Sequence, residues 1–177
     1  NRLNQISDFN KAGIICKTIK ITPSGGRTED MKLQHINFEE WADRDMDFEE
    51  SEIYDYFCEH SFLCPVFCER ESGTTFEGFK RFSFDEGFIE NEVKRTWEDS
   101  RNLIHRNELQ WEYILDKNGN KIKNYSGSYQ GAPNFPKSAE YKVFFRGGNN
   151  DSSDNAKTEC VNGTSMLPQY FWLKGSY

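Results

Sequence analysis

Residues 8–22 read DFNKAGIICKTIKIT, and this stretch decides how the rest of the chain is interpreted. Its second part, residues 13–22, alternates β-branched side chains over two faces, which predicts a buried strand. Asp8 precedes this strand and Lys17 lies within it, while Ile15 stands two positions before the lysine. We therefore expect a core strand with one acidic and one basic side chain near it and no second carboxylate between them.

The length of 177 residues is that of one ordinary domain, so we expect a single domain over residues 1–177. No apolar run approaches the length needed to cross a bilayer, and nothing near Asn1 has the basic and apolar regions of a signal peptide. Because Asn1 is not a start methionine, we expect a soluble part of a longer protein. The five cysteines lie mostly in apolar surroundings, which favours reduced thiols, no disulfides and a cytoplasmic location.

The formal net charge of −7 argues at first against nucleic acid as a partner, since phosphate binding depends on Lys and Arg. The charge is unevenly distributed, however. Residues 39–59 hold ten acidic residues and one basic residue, whereas residues 117–146 hold six basic residues and one acidic residue. A chain with one acidic and one basic face can bind DNA on the basic face. The alternative, that both faces are only solvated surfaces, stays open.

Hydrophobic alternation and turn signals predict the elements that follow the first strand. Residues 31–38 are predicted to form the next strand, antiparallel to the first, after a Pro-Gly turn. A helix is expected over 48–59, with Asp47 as its N-cap and a strongly acidic outer face. The apolar run 61–68 predicts a strand, in which Pro65 indicates an edge position or a bulge.

The second half of the chain contains a long helix and several short strands. Ser83 begins a capping-box pattern ahead of a helix that carries Trp97 at helical spacing. Asn118-Gly119 predicts a hairpin turn. The remaining strands are expected at 111–115, 121–125, 141–145 and 170–173. This order of strands and helices, with hairpins present, predicts an α/β fold with a mixed sheet flanked by helices.

Two candidate metal sites have better structural explanations. Cys64 and Cys68 share a strand face, but no second pair of cysteine ligands accompanies them and the residues between them are core-like. Residues 116–120 resemble the start of a calcium loop, but Gly127 stands where the closing glutamate should be. We therefore expect no metal site in this domain.

Four segments, in order, resemble the MutH family of GATC-recognising endonucleases, which comprises mismatch-repair enzymes and a related type II restriction enzyme. The segments are DFNKAGIICKTI (8–19), a short aromatic strand predicted at 78–84 with the Trp97 helix that follows it, YKVFFRGGNN (141–150) and LPQYFWLK (167–174). Within the family the chain looks most like the C-terminal domain of the restriction enzyme. The resemblance implies a restriction-endonuclease-like fold, with a mixed sheet flanked by helices, and a position in the C-terminal part of a longer chain.

The resemblance also implies that the family's catalytic site has changed here. The family's motif uses an Asp, a Glu and a Lys. Asp8 matches the aspartate and Lys17 the lysine, but Ile15 stands in place of the glutamate. Isoleucine supplies no oxygen ligand, whereas Mg²⁺ requires a near-octahedral set of them. We therefore predict that Asp8, Ile15 and Lys17 are a degenerate remnant, that this domain has no catalytic residue and no cofactor, and that Mg²⁺ serves only the parent enzyme.

Candidate DNA-binding residues follow from the resemblance and from the basic segments. Arg146 matches an arginine of the family's sequence-reading loop, and an arginine fork is the usual donor pair for guanine. Trp172 stands where the mismatch-repair branch has a tyrosine linked to methylation sensing, and we expect it to pack in the core. The predicted DNA-binding residues are Lys17, Lys20, Lys137, Lys142, Arg146, Asn149 and Lys174.

The favoured interpretation is a catalytically silent domain of a restriction-modification enzyme. It would bind double-stranded DNA containing GATC without Mg²⁺ and act as an allosteric effector of an N-terminal catalytic domain in the same protein, with a DNA-induced dimer as a candidate assembly. One alternative is an active Mg²⁺-dependent GATC endonuclease whose missing carboxylate comes from Glu29, Asp30 or the hairpin. A second alternative is an acidic protein-interaction module that has lost DNA binding altogether.

Overall fold

The computed structural model describes residues 6–27, 29–125, 127–148 and 153–177, and within these ranges the fold is mixed α/β. The strands are β1 (Ile14–Cys16), β2 (Ile19–Ile21), β3 (Met31–His35), β4 (Ser61–Arg70), β5 (Gly73–Phe82), β6 (Trp111–Tyr113), β7 (Gly131–Pro133), β8 (Val143–Gly147), β9 (Glu159–Val161), β10 (Thr164–Met166) and β11 (Gln169–Leu173). The helices are α1 (Ser7–Lys11), α2 (Phe38–Ala42), α3 (Glu52–Glu59), α4 (Glu86–Phe88) and α5 (Lys94–His105).

The first sheet is mixed and is built around the long strand β4. The strand predicted at 13–22 is interrupted, and its two pieces, β1 and β2, both pair in parallel with one edge of β4. Pro65 lies opposite this interruption, and its missing N–H deprives the ladder of a donor there. β5 pairs antiparallel with the other edge, with a register shift between Val66 and Phe67. The predicted bulge is therefore confirmed, whereas the predicted edge position is wrong because β4 is paired on both sides.

The second sheet is antiparallel in the order β3–β11–β8. The strand predicted at 31–38 corresponds to β3. The prediction that it pairs with the strand at 13–22 is wrong, because Met31 of β3 pairs with Leu173 of β11. Burial explains the difference, since Met31, Leu33 and Leu173 all face the core. The described part of the connection pairs with the first sheet through an isolated bridge between Ile21 and Arg27. A shared apolar face thus outweighed closeness in sequence.

The acidic helix begins later than predicted. Residues Phe48–Glu50 form a 3-10 turn, and α3 starts after Ser51, whose hydroxyl accepts a hydrogen bond from Tyr54 N at 3.2 Å. Asp47 makes no side-chain capping bond. The prediction of Asp47 as the N-cap is therefore wrong, because the 3-10 turn places a second good capping residue directly before the α-helix.

The long helix behind the sheets also has a shifted start. Asp85, rather than Ser83, caps it by accepting from Phe88 N at 2.9 Å. A π-helical segment at Ile89–Val93 joins α4 to α5, and Trp97 and Ile104 of α5 are buried in the core as predicted.

The hairpin predicted at Asn118-Gly119 is present as a tight turn closed by a bridge between Leu115 and Lys121. Asp116 Oδ1 accepts from the backbone N–H groups of Asn118 at 2.8 Å and Asn120 at 2.9 Å, and these bonds hold the pKa of the Asp116 carboxyl below its usual range.

A single hydrophobic cluster joins the two sheets and the helices. Trp41, Phe57 and Phe62 are almost fully buried in it. All five cysteines are free thiols. In the described part of the chain no helix is long and apolar enough to cross a membrane.

Candidate nucleic-acid interface

Five basic side chains from the two sheets and their connections gather on one side of the molecule. Arg27, Arg146 and Lys174 line an open groove of about 540 Å³, together with Glu29, Asp30 and Trp172. Lys17 lies near this groove, because both Lys17 and Arg27 interact electrostatically with Cys64. Lys32 in turn interacts electrostatically with Lys17. We call the set of Lys17, Arg27, Lys32, Arg146 and Lys174 the cationic cleft.

Lys17 is a partly buried cation of the cleft without a carboxylate partner among the described residues. Its backbone N–H donates to Leu63 O at 3.2 Å, which fixes the residue at the end of β1. The side chain is half-buried, and burial, followed by the charge of Lys32, lowers its pKa. Among the described residues its ammonium group has neither an ion pair nor a side-chain hydrogen bond. A half-buried ammonium group without a counter-ion is suited to an external anion.

Arg27 and Lys32 extend the positive surface on either side of Lys17. Lys32 donates from Nζ to Gly148 O at 3.0 Å and lies 3.5 Å above the centre of the Tyr170 ring. Burial lowers the pKa of both Lys32 and Arg27. The Nε atom of Arg27 is buried and has no hydrogen-bond partner in the described ranges. Both residues therefore keep donor capacity that the protein does not use.

Arg146 is held in place at the groove by several contacts. Its Nη2 donates to Asp30 Oδ2 at 2.8 Å, and its guanidinium carbon lies 5.0 Å from the ring centre of Trp172 and 5.1 Å from that of Phe144. The indole Nε1 of Trp172 donates to Arg146 O at 3.1 Å. Trp172 is only half-buried and lines the groove, so the prediction that it packs in the core is wrong. Trp172 stays at the surface because its ring packs against the guanidinium group of Arg146, which is partly exposed to solvent.

The predicted DNA-binding residues divide into two groups. Arg146 and Lys174 line the groove together with Trp172, and Lys17 lies near them through Cys64, which interacts with both Lys17 and Arg27. Each of the other three described lysines is paired with a carboxylate: Lys20 with Glu69 at 3.1 Å and Glu29 at 3.6 Å, Lys137 with Glu112, and Lys142 with Glu92 at 2.6 Å. Hydrogen bonds to these partners raise the pKa of Lys20 and Lys142. Asn149 lies outside the described residues.

The residues predicted to be a catalytic remnant lie in different environments. Asp8 is exposed on the short helix α1, and Ile15 packs against the hydrophobic cluster. The described ranges contain no group of three or more His, Cys, Asp or Glu side chains arranged to hold a metal. Asp30, one of the alternative ligands, already has both oxygens engaged, by Arg146 Nη2 and by Gly175 N. These residues therefore do not fit a Mg²⁺ site of the kind that the resemblance implies for the parent enzyme.

Sequence reasoning missed Arg27 and Lys32 as members of the cleft. A signal for Lys32 was present, because Lys32 alternates with the buried Met31 and Leu33 and must therefore point away from the core. The neighbours of that outer face depend on the pairing of β3 with β11, which local sequence does not reveal. Arg27 lies in a connection without regular periodicity, and only the bridge to Ile21 positions it.

A mixed α/β fold with an open groove lined by incompletely paired cations defines a protein compatible with the nuclease-like class. The chain is 27% identical over 201 aligned residues to the type II restriction enzyme Sau3AI of Staphylococcus aureus. The alignment covers 98% of this chain and 39% of that enzyme, so the chain spans well under half of the relative's length. No protein-family model matches the chain. The similarity supports a restriction-endonuclease-like relationship.

Proposed function

We propose that this chain is a DNA-binding domain of a restriction-modification enzyme, that it belongs to the MutH family, and that it recognises double-stranded DNA containing GATC. In this proposal the domain does not cut DNA itself. It acts as an allosteric effector of a catalytic domain in the same longer protein, which uses Mg²⁺ as its cofactor. The similarity to a type II restriction enzyme over 98% of the chain supports DNA as the partner.

The observation that carries the proposal is the pair of partly buried ammonium groups of Lys17 and Lys32. Like charges repel each other, and partial burial removes some of the water that would screen them. A carboxylate would normally offset this repulsion, but Lys17 has no such partner among the described residues. An external anion with several oxygen acceptors offsets it instead. A backbone phosphate of DNA has this chemistry, and the open groove admits an extended polyanion.

The donor set around Lys17 supports the proposal of catalytic silence. Cutting requires a metal to activate water and to neutralise charge on the reacting phosphate, and each of these effects contributes several kcal/mol. Ile15 contributes no oxygen, and the exposed Asp8 is not among the groups that influence the pKa of Lys17. With no carboxylate pair beside the lysine, the repulsion of phosphate at Lys17 is weaker than in a site with two carboxylates. We therefore expect the cleft to bind DNA in the absence of divalent metal.

Fluorescence anisotropy with a GATC duplex and a scrambled duplex of equal length tests the proposal. The GATC duplex should bind more tightly, and equally well in EDTA and in Mg²⁺. Lys17→Ala should weaken both duplexes by roughly tenfold, because it removes a phosphate contact that carries no sequence information. Lys117→Ala is the matched control, since it removes the same charge from the exposed hairpin turn and should change little.

Other outcomes would select the alternatives. Binding that requires divalent metal would contradict the metal-independent cleft. Nicking of the GATC duplex by the purified chain with Mg²⁺, abolished by Asp8→Ala or Glu29→Ala, would establish an active nuclease. Equal and weak retention of both duplexes, insensitive to Arg146→Ala, would instead favour an acidic interaction module built around α3.

A further inference from the structure

The ion pair between Arg146 and Asp30 places a partly buried carboxylate inside a groove that also gathers three cations, whereas the other carboxylate of the groove, Glu29, is largely exposed. Asp30 lines the groove with Arg27, Arg146 and Lys174. Its side chain is less exposed than that of Arg146, with 22% against 48% of the side-chain surface accessible. A negative charge at this position opposes the approach of a polyanion. It therefore needs a compensating role if the groove binds DNA.

The two oxygens of Asp30 have different partners. Oδ1 accepts from the backbone N–H of Gly175 at 2.9 Å, which ties the segment after β11 to the start of β3. Oδ2 accepts from Nη2 of Arg146 at 2.8 Å. The first bond holds the backbone together, whereas the second acts only on a side chain. The two functions can therefore be separated by a substitution that keeps one oxygen.

Two aromatic rings also restrict the orientation of the Arg146 guanidinium group. The rings of Trp172 and Phe144 lie on it at about equal distances, 5.0 and 5.1 Å from its central carbon. The carboxylate of Asp30 then limits rotation of the fork within the space that the rings leave. A guanidinium group has five N–H donors, so one bond to Asp30 leaves four donors available. Arg146 is thus oriented in advance and still able to donate to a base edge.

We propose that Asp30 is a positioning residue for base recognition, which orients the Arg146 fork and so increases discrimination between DNA sequences while lowering affinity for DNA in general. The inference rests on the proposed function, because it requires Arg146 to contact bases. A fork that is fixed before binding loses little conformational entropy when it makes two bonds to guanine, and it makes poor bonds to the other bases. A free arginine adapts to any nearby phosphate and therefore discriminates less.

Glu29 provides a control that few sites offer. It lines the same groove and carries the same charge as Asp30, but it is largely exposed and its ion pair is with Lys20 at 3.6 Å, not with Arg146. Glu29→Gln and Asp30→Asn each remove one negative charge from the groove. Only Asp30→Asn removes the charged acceptor of Arg146, and asparagine retains an oxygen for the Gly175 N–H. A difference between the two variants therefore reports positioning and not net charge.

The test measures the dissociation constants of the full chain and its variants for the GATC and scrambled duplexes at one fixed salt concentration. Both variants should bind the scrambled duplex a few-fold more tightly, because a repulsive charge is gone. Asp30→Asn should lower the ratio of the dissociation constant for the scrambled duplex to that for the GATC duplex by roughly tenfold, whereas Glu29→Gln should leave this ratio unchanged. Arg146→Lys, which keeps the charge but lacks the fork, should lower the ratio as Asp30→Asn does.

A double-mutant cycle identifies the route of the effect. If Asp30 acts through Arg146, Asp30→Asn should not lower the ratio further in an Arg146→Ala background. A ratio unchanged by Asp30→Asn in the folded protein, or lowered equally in both backgrounds, would overturn the inference while leaving the proposed function intact. A wild-type chain that binds no DNA, or that binds both duplexes alike, would overturn both. Thermal unfolding of each variant establishes that a lower ratio does not come from loss of the fold.

Discussion

Lys17 illustrates how a single residue can combine a regular backbone with an irregular side-chain environment. The backbone continues the ladder with Leu63, while the side chain lies partly buried beside Lys32. The sequence predicted the strand, and it showed Ile15 where the motif has a glutamate, which leaves Lys17 without that carboxylate. It did not predict that Lys32 is a neighbour of Lys17, because the position of Lys32 depends on the pairing of β3 with β11. The residue could be selected from sequence, but the reason for its lowered pKa could not.

The lowered pKa of Lys17 predicts a specific pH dependence of DNA binding. Only the protonated amine binds phosphate, so affinity should fall as pH rises through its pKa. Burial and Lys32 lower that pKa, so the fall should begin at a lower pH than for an exposed lysine. Anisotropy titrations between about pH 8 and pH 10 measure it. Lys17→Arg keeps its charge throughout this range and should remove the early part of the fall. Identical pH profiles of the wild type and Lys17→Arg would contradict the assignment.

At the scale of elements, patterns within one segment identified the long elements but not their partners or ends. They also failed for short elements: the strand predicted at 121–125 forms only isolated bridges, and β7, β9 and β10 were not predicted. The strand around Pro65, the hairpin at Asn118-Gly119 and the buried Trp97 helix are present as predicted. The first strand was predicted to be continuous and is split, because the interruption lies opposite Pro65 on another strand. The partner of β3 was also mispredicted, because that partner, β11, is distant in sequence and lies near residue 177. Local sequence carries no direct record of such contacts.

The start of α3 gives a stability prediction with an internal control. Ser51 is fully buried, and its hydroxyl both accepts from Tyr54 N and donates to Phe48 O at 2.5 Å. Ser51→Ala removes both bonds and should lower the free energy of unfolding by about 1–2 kcal/mol. Asp47→Ala should change it by less than about 0.5 kcal/mol, because the exposed Asp47 makes no capping bond. Urea unfolding of both variants measures the difference. A larger loss for Asp47→Ala would mean that the helix begins where the sequence predicted.

At the scale of the whole molecule, the formal net charge of −7 conceals a division between an acidic segment and the cationic cleft. The sequence predicted this division, but it located the positive charge mainly in residues 117–146. Lys137 and Lys142 of that segment are paired with carboxylates, whereas Arg27 and Lys32, far away in sequence, belong to the cleft. Counting charges along a chain cannot separate neutralised cations from available ones, since ion pairs form across the fold. The uncompensated charge is therefore the quantity that should govern DNA affinity.

The salt dependence of binding measures that quantity directly. Each phosphate neutralised by a cation contributes about −0.9 to the slope of log affinity against log salt concentration. Arg146 is already paired with Asp30, so engagement of the other four cleft cations predicts a slope of roughly −3 to −4. Lys174→Ala should make the slope shallower by about 1 and weaken the GATC and scrambled duplexes alike, because a phosphate contact carries no base information. Lys142→Ala is the matched control and should leave the slope nearly unchanged, since its ammonium group is already paired with Glu92 at 2.6 Å. If Lys142→Ala reduced the slope as much as Lys174→Ala, paired and unpaired cations would contribute equally, and the cationic cleft would lose its physical basis as the DNA-binding surface.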